Sequence, residues 1–159
     1  MEKKEIIAGR GFYYMPAAYI TLKVTVEGIY DHEKMQQAVA ALEEAHPIIS
    51  RVVRKEGDRM WFEEAGKHVP VILYPETTLV RWEDALLELT TKPINLQENP
   101  GVMIGIAERT DRFFLLVICH HMYGDGGCHL HFHLVPKYKS DEFEWGTPFA
   151  MNPGRKYLS

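Results

Sequence analysis

Seven consecutive apolar residues, Phe113–Cys119, run without a charge, proline or glycine and end on two histidines. So short an apolar run, bounded by turn residues, reads as a buried strand. Thr110-Asp111 precedes it as a turn and Val102–Glu108 precedes the turn, so the two segments read as a hairpin. The strand then gives way to His120-His121-Met122-Tyr123-Gly124-Asp125-Gly126-Gly127. That pattern suits a strand whose end projects a proton-transfer residue into a cleft. Histidine is the side chain whose ordinary pKa lies closest to neutrality.

Further strands and helices surround this hairpin. Ile20, Leu22, Val24 and Val26 alternate with Thr21, Lys23 and Thr25, which predicts a half-buried strand over Tyr19–Glu27. Gly28 breaks it. Asp31 is an N-cap residue for a helix over His32–Ala45, with Met35, Val39 and Leu42 as its apolar stripe. Ala38 and Ala45 fall beside the stripe, and Glu43 and Glu44 are expected to face water. His46-Pro47 stops the helix, because proline disfavours helical geometry in the residue before it. Ile48–Lys55 is a second strand candidate, Gly57-Asp58 a hairpin turn and Met60–Glu64 the return strand. Pro70–Tyr74 reads as a short strand, Arg81–Thr90 as a helix and Asn99-Pro100-Gly101 as a turn. The order predicts an α+β fold: a mixed, largely antiparallel sheet with helices packed on it.

A chain of 159 residues predicts one domain with a substantial core. The formal charge of −4 gives no basic field, which argues against nucleic acid as the main partner. Two cysteines, Cys119 and Cys128, make no disulfide framework. No run approaches the ~20 apolar residues of a membrane span. The start shows no secretory pattern, so a cytoplasmic location is the default expectation.

The spacing His120-His121-x-x-x-Asp125-Gly126 resembles the HHxxxDG signature of the chloramphenicol acetyltransferase-like superfamily. That group includes coenzyme A-dependent acyltransferases and the condensation domains of nonribosomal peptide synthetases. Leu42-x-x-x-His46-Pro47-Ile48-Ile49-x-Arg51 and the Pro100-Gly101-Val102 strand start also fall in the family's order. The resemblance covers about residues 10–128 and implies one lobe, the N-terminal one, of a CoA-dependent acyltransferase fold. It implies His121 as general base, His120 as a supporting residue, and Asp125 as an architectural residue that pairs with an arginine. Arg51 and Arg54 are candidate ion partners, and Arg51 a candidate for a structural pairing. Gly126 would allow close backbone approach where the loop turns. The implied reaction is acyl transfer from acyl-CoA or a carrier-bound phosphopantetheine thioester to an alcohol or amine. The thioester is a co-substrate, and no cofactor is bound permanently. Family members place the active-site tunnel between two lobes. The resemblance therefore implies either a homo-oligomer or a second lobe elsewhere.

Residues 129–159 depart from the family pattern, with Pro136, Pro148 and Pro153 breaking any regular element, and are expected to be irregular. His129, His131 and His133 alternate there, and imidazoles on one strand face suit Zn, Cu or Ni. One extended HxHxH run rarely completes a tetrahedral site, so no metal is assigned. Two alternatives to the enzyme stay open: a non-catalytic lobe acting as a binding domain, and a His-rich metal-binding protein. Cys119 is expected in the core, and Trp61 and Trp82 as packing residues.

Overall fold

The computed structural model describes residues 4–7, 9–15, 18–74 and 91–123. Their elements are β1 (Lys4–Glu5), β2 (Tyr19–Glu27), α1 (His32–Ala45), β3 (Val52–Glu56), β4 (Arg59–Glu63), β5 (Val71–Tyr74), β6 (Val102–Glu108) and β7 (Arg112–His120). Short 3-10 turns occupy Arg10–Tyr14, Pro47–Ser50 and His121–Tyr123. The expected helix over Arg81–Thr90, Trp82 and the tail over 129–159 lie outside the described residues.

Two sheets form. One has the order β1-β4-β3 and is antiparallel; the other has the order β2-β7-β6-β5, with only β5 parallel to its neighbour. The expected mixed, largely antiparallel α+β architecture is thus present, divided between two sheets. β7 pairs along its whole length with β2, from Tyr19↔His120 to Glu27↔Arg112, and with β6 from Val102↔Cys119 to Glu108↔Phe113. These registers gather the start of β2, the end of β7 and the start of β6 at one end of the sheet. Both histidines stand at that end.

The pleat explains the unbroken apolar run. Phe113, Leu115, Val117 and Cys119 point into the main core, shared with Met35, Val39 and Leu42 of α1 and Val53, Met60 and Phe62 of the other sheet. Leu116 and Ile118 point the opposite way and cluster with Met103, against Tyr19 and Ile94. A strand buried on both faces needs apolar residues at both parities. His120 follows Leu116 and Ile118 at period two, so it continues the second face.

α1 begins where expected. Asp31 has extended backbone and its Oδ1 accepts from Lys34 N–H at 3.0 Å. The helix buries Met35, Ala38, Val39 and Leu42, and Pro47 follows its last turn.

Three expectations are corrected. Glu43 does not face water: its side chain is 12% exposed, and Oε1 accepts from Val69 N–H at 2.6 Å. The chain crossing over the helix C-terminus presents a buried N–H, which needs an acceptor. Ala45 is exposed and lies off the stripe. The second strand begins only at Val52, because Pro47 starts a 3-10 turn that closes through Ile49 N–H to His46 O at 3.1 Å. The hairpin turn at Gly57-Asp58 holds, with Gly57 at φ 58°, the left-handed region that glycine tolerates.

Glu43→Ala is expected to cost about 1–3 kcal/mol, because it strands the buried Val69 N–H. Glu44→Ala, at an exposed position of the same turn, should stay within about 0.5 kcal/mol. Urea denaturation of both variants checks this, and equal midpoints would refute the tie.

Candidate functional site

The end of β7 is fastened group by group. His120 N–H donates to Gly101 O at 2.7 Å, His121 N–H to Ala18 O at 2.9 Å, and Met122 N–H to His120 Nδ1 at 3.3 Å. The strand thus passes into the His121–Tyr123 turn with no backbone donor of residues 120–122 left over.

His120 is 1% exposed, the one fully buried polar side chain among the described residues. Its Nδ1 accepts from Met122 N–H, so the ring proton belongs on Nε2, which lies 3.3 Å from Met15 O and donates to it. Tyr19 meets it edge-on at 5.4 Å between centroids, and the Tyr19 hydroxyl accepts from Ile94 N–H at 2.8 Å. Burial pushes the His120 pKa down. The Met15 carbonyl opposes that shift and the neighbouring His121 adds to it. His120 is therefore a neutral, doubly bonded structural imidazole. It ties the segment before β2 to the turn after β7.

His121 is different. It is only partly buried, and its ring stacks on Phe12, 4.7 Å between centroids with 20° between planes. Its Nδ1 is buried. The two histidines do not splay apart as an extended backbone would require, because His121 already belongs to the 3-10 turn. Both face the same segment: Phe12 covers one and Met15 O bonds the other.

Tyr123 closes the turn. Its hydroxyl donates to Arg51 O at 2.8 Å, and its ring packs on Phe62 at 4.9 Å. Burial holds its hydroxyl well above the ordinary phenol range. Arg51 thus reaches the site through its backbone carbonyl. Gly101 makes room for the Tyr123 ring: a Cβ there would lie 2.5 Å from Tyr123 Cδ2 and 3.0 Å from Leu96 Cδ2. Cys119 is core, as expected, and burial pushes its thiol up to about 12. A thiol so rarely ionised is no nucleophile. A cleft of about 390 Å³ opens at the same end of the sheet, lined by Ile94, Pro100 and Met103 with Lys67 and His68 at its edge.

The structure thus brings together His120, His121, Tyr123, Tyr19 and Phe12. Asp125, Gly126, Cys128, His129, His131 and His133 lie outside the described residues. Among those described, no group of His, Cys, Asp or Glu could hold a metal, and no helix is long and apolar enough to cross a membrane. Sequence reasoning missed Phe12 and Tyr123. Nothing in their local pattern marks them, since both act through contacts with distant segments.

No family model matches the sequence, and no curated protein matches it. Solved structures do match in fold. The epimerization domain from the third module of tyrocidine synthetase B aligns at TM-score 0.67 and 19% identity, covering 87% of this chain and 34% of that one. A doubly mutated starter condensation domain of rhizomide synthetase RzmA, in complex with C8-CoA, aligns at 0.68 and 11%, covering 86% and 35%. Polyketide synthase associated protein 5 from Mycobacterium tuberculosis aligns at 0.61 and 16%, covering 85% and 32%. The chain has the fold of one lobe of these condensation and epimerization domains. It spans about a third of the length of each of these structures.

Two outcomes follow from the packing. Gly101→Ala should destabilise the protein by about 1–3 kcal/mol through overpacking against Tyr123, read as a lower urea midpoint. The lowered His120 pKa also sets a pH dependence. Above the ordinary value of 6.5 both folded and unfolded states hold His120 neutral, and its contribution is complete. As pH falls below that value the unfolded chain takes up a proton that the folded chain refuses, so stability declines. Unfolding free energies between pH 8 and 5 should fall more steeply for the wild type than for His120→Gln. Parallel curves would contradict a neutral, buried His120.

Proposed function

We propose that this chain takes part in acyl transfer from a thioester, acyl-CoA or a carrier-bound phosphopantetheine, to an alcohol or amine, with His121 as general base. The observation that carries the reading is His121 itself: partly exposed, its Nδ1 buried, at the end of a strand in a condensation-domain lobe. An acceptor O–H or N–H is a weak nucleophile. In the proposed step Nε2 removes its proton as the oxygen or nitrogen attacks the thioester carbonyl. The tetrahedral intermediate then collapses, the C–S bond breaks, and the thiolate leaves and recovers a proton from the imidazolium. No covalent enzyme intermediate is required.

His120 fits a supporting role in this scheme, since both of its ring nitrogens already serve structural bonds. Asp125 and Gly126 are assigned by motif alone, as shapers of the loop after His121. C8-CoA in a structural neighbour supports acyl-CoA as the donor class. A wall facing His121 is assigned to a second lobe, carried in the same polypeptide or by another subunit. A second copy of this chain is the economical version, because the family's two lobes resemble each other.

Thiol release from a series of acyl-CoA esters, with an amine or alcohol acceptor present, tests the reading. His121→Ala should lose about 100-fold or more of the rate, while circular dichroism and urea midpoint stay near wild type. An unaltered rate in that variant would sink the assignment. Acyl-CoA binding without release in either protein would favour a non-catalytic binding lobe. Sedimentation of the same preparation decides whether two copies associate.

A further inference from the structure

We propose that Phe12 is a positioning residue of this site, fixing the plane of the His121 imidazole. The lone pair of an imidazole nitrogen lies in the ring plane. Rotation about either side-chain torsion therefore aims Nε2 elsewhere and costs proton transfer its geometry. The centroid separation of 4.7 Å and the near-parallel planes fall within the range of stacked aromatic pairs.

The stack is held from both sides. Phe12 stands on the Arg10–Tyr14 turn, closed by Phe12 N–H to Gly9 O at 3.0 Å and Met15 N–H to Phe12 O at 2.9 Å. That turn accepts from His120 Nε2 through Met15 O, and the following Ala18 O accepts from His121 N–H. The Tyr13 hydroxyl accepts from Gln97 Nε2 on a third segment. Both stacked rings therefore belong to backbones tied directly to one another. Gly9 enters the turn at φ 78°, where a Cβ would be strained and would lie 3.7 Å from the Phe12 ring. Phe12 covers one face of the His121 ring, and the ring's Nδ1 is buried.

The catalytic part of this proposal rests on His121 being the base; the clamp itself does not. Proton NMR of the full chain reads the clamp directly. In the wild type, the His121 ring protons should show nuclear Overhauser contacts to the Phe12 ring, upfield ring-current shifts and a single side-chain rotamer. In Phe12→Leu, which keeps apolar bulk, the upfield shifts should vanish and the rotamer should average. Phe12→Tyr should restore both. Thiol release should fall about two- to tenfold in kcat for Phe12→Leu, the factor that a stacking preference of this kind supports. KM should change less than twofold, and Phe12→Tyr should recover the rate. Absence of the wild-type contacts, or unchanged His121 signals in Phe12→Leu, overturns the clamp. Altered signals with an unaltered kcat overturn its part in catalysis. A wild type that orders His121 but releases no thiol defeats the acyl-transfer reading and leaves the clamp standing.

Discussion

The fold depends on one strand being held along both edges and buried on both faces. β7 pairs with β2 from end to end and with β6 over most of its length. Its odd residues fill the main core and Leu116 and Ile118 fill a second cluster. Backbone bonds fix its position along the sheet, and side-chain parity fixes its rotation. A slip of one residue would send every side chain to the opposite face. Cys119, now in the core, would then take the place of His120 beside Tyr19. A side chain at the end of such a strand inherits that precision, which a residue on a long loop would lack.

The two adjacent histidines divide the work that a site requires. A buried polar ring is costly unless its nitrogens are bonded, and His120 meets that condition with one bond given and one accepted. The same bonds remove it from chemistry: Nε2 carries the proton to Met15 O, and the lowered pKa opposes a second one. His121 is more exposed than His120 and belongs to the 3-10 turn that follows the strand. Rigidity next door and access at the tip are complementary, since a fixed Met122 and a fixed Met15 leave His121 little backbone freedom.

Much of this was legible in the sequence. β2, α1, the β6–β7 hairpin and the β3–β4 turn follow from periodicity and from Asp31 and Gly57, all local signals. The end of the strand at His120-His121 was readable for the same reason. The misreadings are non-local. Glu43 looks like a solvent-facing helix residue until residue 69 crosses the helix end with a buried N–H. Pro47 delays β3 by a turn whose existence depends on His46 O as acceptor. Phe12 and Tyr123 carry no pattern of their own. Their meaning comes from His121 and from the space that Gly101 leaves, both more than twenty residues away in the chain.

The arrangement also constrains how a cleft can be completed. Phe12 covers one face of the His121 ring, the Ala18 carbonyl accepts from its backbone N–H, and Nδ1 is buried. Among the described residues, these contacts narrow the directions from which a group could approach the ring. Proton transfer works best where water is excluded, because electrostatic interactions strengthen as the local dielectric falls. A partly exposed side chain does not exclude water by itself. On the acyl-transfer reading, a second wall would have to approach His121 from a side other than that of the Arg10–Tyr14 turn. That requirement would hold whichever polypeptide supplied the wall, and it would make the orientation proposed for Phe12 a constraint on the whole assembled site.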